Sequence, residues 1–247
     1  MERDGRAVAA SFFIEADLAS GVRVSLPEAA AHHARVKRMN VGDDVRLTDG
    51  NGTVGHGVIA SLDKKAVQID VSDVERVAAP SAIHLRVPIG DRDRMLWLAE
   101  KATELGAATW QAVRFRRSAS VSPRGEGEAF AEKVRLRMIN ALEQSGGAWL
   151  PSILPDIGLD ALSVSSAHQS ILLDPSGEPL PSVLRPEKEP VLLFGPEGGI
   201  DAEERARLIE AGWHPAALAN TVLRFETAGV AALAVSRAQL LSERRHG

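Results

Sequence analysis

Near residue 80 the apolar residues of this chain change their spacing, and that change limits the folds open to it more than any other feature. Upstream, Phe12-Phe13-Ile14, Val22-Arg23-Val24, Val45-Arg46-Leu47, the run 54–59 and Val67-Gln68-Ile69-Asp70-Val71 are short apolar or alternating segments, the grammar of strands. Asp49-Gly50-Asn51-Gly52 is a turn between two of them, and one short helix starts at Pro27 and runs through Ala29-Ala30-Ala31. Glu75-Arg76-Val77-Ala78-Ala79-Pro80 reads as a linker. Beyond it, 83–89 is strand-like, and Met95, Leu98, Ala99, Ala102 and Leu105 then recur at i, i+3, i+4, i+7 and i+10, the stripe of an amphipathic helix. Asp91 can cap that helix and Gly106 can end it. Strand-like 109–115, helical 126–144, strands at 171–173 and 191–194, helical 201–211, a short strand 216–218 and a closing helix 226–241 follow. Several short strands with one helix suggest a small barrel over 1–75. Strands alternating with helices over 80–247 suggest a mostly parallel α/β sheet covered on both faces. The stretch 174–190, with five prolines, reads as a loop.

Composition removes several classes of chemistry. A hydrophobic fraction of 45% and a charged fraction of 25% are those of a globular protein, and 247 residues suffice for a large core. No apolar run nears the roughly 18 residues that span a bilayer, and the start MERDGRAVAAS lacks the order of a secretory signal, so a cytoplasmic location is expected. With no cysteine there are no disulfides, thiolate metal sites or cysteine nucleophiles. The seven histidines form no HxxxH or HExxH pair, and no metal centre is expected. Net charge is −4, yet Arg35, Lys37 and Arg38 cluster, as do Arg114, Arg116, Arg117 and Arg124. A phosphate-backbone partner needs such local positive potential rather than net charge, although solvated faces would look the same.

Three segments carry chemistry. Val191-Leu-Leu-Phe-Gly-Pro-Glu-Gly-Gly-Ile200 places glycines beyond a strand's carboxyl end, where ligands bind in open α/β sheets. It lacks the Gly-Lys-Ser/Thr of a phosphate loop and the GxGxxG of a dinucleotide loop, and alone it is equally well a tight turn. Val222-Leu-Arg-Phe-Glu-Thr-Ala228 sets Arg224 and Glu226 where a loop enters the last helix, although Glu226 and Thr227 would also suit a helix start. Glu100-Lys101-Ala-Thr-Glu104 reads first as a solvated helix face.

Together, Lys101-Ala-Thr-Glu-Leu-Gly106, Glu143-Gln-Ser-Gly146, Leu193-Phe-Gly-Pro-Glu-Gly-Gly-Ile200 and Val222 to Ala228 resemble the RsmE family of ribosomal RNA methyltransferases, members of the SPOUT superfamily. His33, Val36, Arg38, Gly42-Asp43 and Asp49-Gly50 extend the resemblance toward the N-terminus. It implies a PUA-like β-barrel over 1–75 and a trefoil-knotted α/β domain over roughly 80–247. It further implies S-adenosylmethionine as methyl donor, N3 of a uridine in the decoding region of 16S ribosomal RNA as acceptor, and a homodimer with the donor cleft near the subunit interface. The chain departs from the family pattern at Ala219, at Gly147 and at Lys37, which bears on RNA contacts rather than on the donor loop.

On that resemblance, Leu193, Gly195, Pro196, Glu197, Gly198 and Gly199 hold the cofactor, with Leu218, Leu223 and Thr227 opposite. Glu197 is open between touching the ligand and bracing the loop, with bracing preferred. Arg224 is the candidate to stabilise the uridine oxyanion or an RNA phosphate, because arginine is always charged and can fork onto oxygen acceptors. Glu226 is the candidate to orient Arg224 or accept the N3 proton. Arg38, Arg114, Arg116 and Arg117 are candidates for RNA contact. Two rival readings stand beside this one: an RNA-binding module with a vestigial S-adenosylmethionine site, and a nucleotide-dependent enzyme using residues 195–199 for phosphate.

Overall fold

The computed structural model describes residues 10–120 and 123–243. The first nine residues of the expected barrel, which hold most of the start read for a targeting signal, and the last four of the expected 80–247 domain lie outside the described residues. Two compact units emerge: one reaches to Ala79 and includes Leu142–Leu150, and the other comprises Pro80–Ala141 and the chain from Pro151 onward.

In the first unit, β1 (Ala10–Phe13), β2 (Arg23–Leu26), β3 (Asp44–Thr48), β4 (Thr53–Leu62) and β5 (Val67–Arg76) form one sheet in the order β1-β3-β4-β5-β2. Among the described residues it is a curled half-barrel with β1 and β2 at its ends, not a closed ring. Only the β1–β3 pairing is parallel. Alternation puts Val45, Leu47, Val67, Ile69 and Val71 on the inner face, where α1 (Glu28–Val36) closes the core with Ala31 and Ala34. The β3–β4 turn is fixed by Asp49, whose Oδ1 accepts from the amides of Asn51 and Thr53. Gly52 is required there. Its φ is +91°, and a Cβ would stand 2.3 Å from the Trp149 ring.

In the second unit, β6 (His84–Pro88), β7 (Thr109–Arg114), β8 (Ser152–Gly158), β9 (His168–Pro179), β10 (Glu189–Leu193) and β11 (His214–Ala217) form a sheet in the order β11-β9-β10-β6-β7-β8, parallel at every pairing. Its helices are α2 (Arg92–Glu104), α3 (Glu128–Ser145) up to Ala141, α4 (Leu180–Val183), α5 (Ala202–Glu210) and α6 (Phe225–Glu243). Sheet and helices bury Leu85, Val87, Leu172, Leu192 and Leu193. Asp91 caps α2, accepting from the amides of Asp93 and Arg94, and Gly106 at φ +72° ends it. Arg237 of α6 ties that end down by donating to the carbonyls of Ser81, Leu105 and Gly106.

The segment 174–190 is more ordered than its prolines suggest. β9 bulges at Asp174-Pro175-Ser176-Gly177 and then resumes pairing with β11, Glu178 opposite Ala216 and Pro179 opposite Ala217. Asp174 accepts from the amide and hydroxyl of Ser176, and Gly177 passes where a Cβ would meet the Pro215 backbone at 2.4 Å. Strand β8 is also absent from the sequence reading, because Pro151 and Pro155 interrupt its pattern.

Candidate functional site

The carboxyl ends of β9, β10 and β11 open into a cleft of about 480 Å³. It sits where β10 lies between β9 and β6, the position at which strand order reverses in the sheet and ligands of open α/β folds collect. Its walls are the bulge after Leu173, the loop from Phe194 to Ile200, and the segment from Leu218 to Phe225, with Arg94 and Arg205 at its edges. The lining is mainly apolar side chains and exposed backbone.

The loop after β10 holds its shape by three devices. The Gly199 amide donates to the Pro196 carbonyl at 2.8 Å, closing a turn that Gly199 completes at φ +73°. Gly195 packs under Ile200, so closely that a Cβ there would stand 2.6 Å from Ile200 Cγ1. Glu197 Oε1 accepts from the Asp91 amide at 3.0 Å, joining this loop to the one that follows β6. Glu197 is thus a brace as well as a lining residue.

A capping box at Asp201 and Glu204 then starts α5. Glu204 is buried, and its second oxygen accepts from the Arg116 amide. The Arg116 guanidinium bonds Glu203 at 2.7 Å and Asp201 at 3.3 Å, and Arg117 donates to the Gly198 carbonyl at 2.8 Å. Across the cleft, Arg205 donates to Asp174 and Ser176 and clamps the β9 bulge. Those bonds hold the Asp174 carboxyl below its ordinary value against the opposing effect of burial.

Arg224 lines the cleft and is exposed, and among the described residues its side chain makes no hydrogen bond or ion pair. Glu226 lies behind it in the first turn of α6, 9% exposed, with Oε1 3.9 Å from Arg94 Nε and Oε2 buried without a partner. A buried carboxylate oxygen lacking a donor is costly, so this one stands open to a hydrogen-bond donor.

Of the residues marked from sequence, Gly195, Pro196, Glu197, Gly199, Leu218, Leu223 and Arg224 share the cleft wall. Leu193 is buried at the end of β10, Gly198 turns its carbonyl to Arg117, and Thr227 is exposed on α6; none of the three lines the cleft. Arg114 pairs with Glu126, so Arg114, Arg116 and Arg117 are all engaged within the unit. Lys101 bonds Glu100 and Glu104 along its own helix. Arg38, in the first unit, is exposed at φ +56°, the one non-glycine residue with positive φ among the described residues. Arg94 also lines the cleft, and in sequence it is hidden beside the apolar stripe that begins at Met95. Its place three residues after a strand-end Asp could have marked it.

Residues 77–237 match the RNA methyltransferase domain family, and residues 26–72 match the RNA methyltransferase PUA domain. A Synechocystis protein named ribosomal RNA small subunit methyltransferase E is 28% identical over 230 residues, covering 89% of this chain and 74% of that one. Its Bacillus subtilis namesake is 26% identical, covering 83% and 86%. The crystal structure of the Neisseria gonorrhoeae enzyme of the same name, bound to S-adenosyl methionine, superposes with a TM-score of 0.83 at 28% identity, covering 93% of this chain and 97% of that one.

Proposed function

The chain belongs to the RNA methyltransferase domain family, and from that premise we propose that it transfers the methyl group of S-adenosylmethionine to N3 of a uridine in the decoding region of 16S ribosomal RNA. The observation that carries this reading is the cleft itself: a strand-end cavity of about 480 Å³ in which the Gly195 to Ile200 loop faces the Leu218 to Phe225 loop, with an unengaged Arg224 on its wall. The volume is within the roughly 300–1,000 Å³ of small-molecule clefts. Loop backbone and the polar side chains of Arg94, Asp174, Glu197, Arg205, Thr221 and Arg224 stand among apolar ones, which suits a cofactor with an adenine, a ribose and an amino-acid moiety.

S-adenosylmethionine bound there supplies the electrophilic methyl; every other task falls to the chain. Backbone of the two loops holds the cofactor, the apolar lining excludes water, and the Glu197 brace keeps the β10 loop in place beneath it. Attack by N3 requires loss of the imide proton. Arg224 meets the negative charge that then spreads onto the uracil oxygens, or an adjoining phosphate. Glu226 Oε2, buried and unpartnered, takes the proton directly or orients Arg224, with Arg94 beside its other oxygen. The phosphate-dependent reading finds no Lys or Ser/Thr in the 195–199 loop to support it.

The first unit supplies RNA affinity as a PUA-like domain over 1–75, built on a half-barrel rather than the closed barrel expected, and the second is a trefoil-knotted SPOUT domain over 80–247. The last helix, α6, returns to pack on α2, α4, β6 and β10. Arg38 ends α1 in a Schellman turn, its amide donating to the Arg35 carbonyl and that of Met39 to the Ala34 carbonyl, and its exposed side chain is free of that turn to meet RNA. Arg114, Arg116 and Arg117 present charge that a phosphate backbone would share with their carboxylate partners. The working form is a homodimer, a reading to which Val222, 90% exposed beside the cleft, lends support. Small subunits as substrate put the enzyme in the cytoplasm; among the described residues no helix is long and apolar enough to cross a membrane.

The test incubates unmodified small subunits, and separately naked RNA, with labelled S-adenosylmethionine and maps the labelled base. Label on uridine N3 is expected. Label on a cytidine or a ribose would sink the assignment, and cofactor binding without transfer would favour the vestigial-site alternative.

A further inference from the structure

The amino ends of the parallel sheet, at the opposite edge from the cleft, gather a second set of groups. His168 opens β9, Glu189 opens β10 and His84 opens β6, three adjacent strands. Register aligns them: Glu189 is paired with His168, and Val191, two residues on and therefore on the same face, is paired with His84. Nε2 of His84 lies 3.1 Å from Glu189 Oε2 and Nε2 of His168 lies 3.4 Å from the same oxygen. All three ligand atoms fall within 4.8 Å of one another.

We propose that His84, His168 and Glu189 form a divalent transition-metal site, with zinc as its best-suited occupant and a solvent molecule as the fourth ligand. Ligands about 2.1 Å from a tetrahedral zinc are about 3.4 Å apart; the two histidine–carboxylate distances, 3.1 and 3.4 Å, are close to this, and the third separation is within 4.8 Å. Two imidazoles and one carboxylate are the donor set of many three-residue zinc sites. The neighbouring strand adds the outer support such sites require: Thr109 on β7 is paired with His84, and its Oγ1 is 3.0 Å from His84 Nδ1. That contact, with Nδ1–H donating, leaves the Nε2 lone pair facing Glu189. The His84 side chain is 13% exposed, whereas those of His168 and Glu189 are 35% and 52% exposed, so an ion can enter from solvent.

The position makes the role structural. The ion would staple β9, β10 and β6 at the end remote from the cleft, and methyl transfer would not pass through it. No local motif announces the site, because its members are 84 and 21 residues apart in sequence.

The test uses the full chain stripped with a chelator and freed of it. Titration with zinc chloride against a chromophoric competitor is expected to show one ion per chain at micromolar or tighter affinity, and zinc is expected to raise the melting temperature. His168→Ala and Glu189→Gln should abolish that binding, and Thr109→Val should weaken it about 10–100-fold. S-adenosylmethionine binding should be unchanged in all three, which also reports that they are folded. Absence of stoichiometric binding overturns the proposal, as does equal binding by wild type and all three variants, which would assign the zinc to other histidines. A third refuting result is a lower melting temperature of the metal-free variants with no zinc effect on wild type, since the cluster would then be a carboxylate clamp between two imidazoles.

Discussion

Replacing Gly195 by alanine should loosen the cofactor cleft through one contact. The new Cβ would stand 2.6 Å from Ile200 Cγ1 and 3.3 Å from Cδ1, whereas carbons in contact lie about 3.5–4.0 Å apart, so Ile200 must retreat by roughly 1 Å. Overpacking of this kind costs about 1–3 kcal/mol. Ile200 itself lines the cleft, so the displacement falls on the wall that holds the ligand. If the whole cost is felt on binding, affinity for S-adenosylmethionine drops about 5- to 150-fold, measurable by titration calorimetry. Ile200→Ala removes both colliding atoms, so the double variant should bind as Ile200→Ala does alone. Gly199→Ala is the contrast: the nearest atom to its Cβ is Arg117 Nη1 at 3.7 Å, an ordinary contact, and its cost of about 1 kcal/mol comes from a side chain at φ +73°. Ile200→Ala should not rescue that variant. Unchanged affinity in Gly195→Ala, or a loss that Ile200→Ala fails to restore, refutes the steric argument.

Arg224→Ala should slow methyl transfer about 100-fold or more while cofactor affinity stays within about twofold; unchanged transfer removes Arg224 from the reaction. Arg237→Ala strips a charged donor from three carbonyls at the end of α2 and should cost about 2–3 kcal/mol, seen as a melting temperature about 4–12 °C lower. Glu143 is held above its ordinary carboxyl value chiefly by burial, opposed by the Phe13 amide and by Lys37. The folded state therefore binds its proton more tightly than the unfolded chain does, and stability falls as pH rises from about 4.5 through the folded value. Glu143→Gln, which keeps an acceptor for Phe13, should accordingly be more stable than wild type at neutral pH and equal to it in acid, a pair of melting curves deciding the matter.

Local chemistry was legible wherever neighbours in sequence are neighbours in space. The stripe from Met95 to Leu105 gave α2 and its buried face, Asp91 its cap and Gly106 its end, because a helix satisfies its groups within a few residues. The change of period near residue 80 separated an alternating β region from a parallel α/β one, and the loops at 195–200 and 222–228 were visible as glycine and charge in unusual places. What escaped was whatever depends on strand order and register. Strand β8 and the far end of β9 carry prolines and a bulge that only pairing with β7 and β11 makes strand-like. Arg94 reached the cleft because α2 starts at the same sheet edge as the β10 loop, and Glu197 found its partner at Asp91, 106 residues away. His84, His168 and Glu189 belong to no motif at all and meet because three parallel strands begin at one edge. Sequence by itself determined the elements and the likeness of the two loops to a methyl-donor site. Tertiary structure decided which groups face each other, because parallel strands bring together residues whose distance along the chain has no bearing on their distance in space.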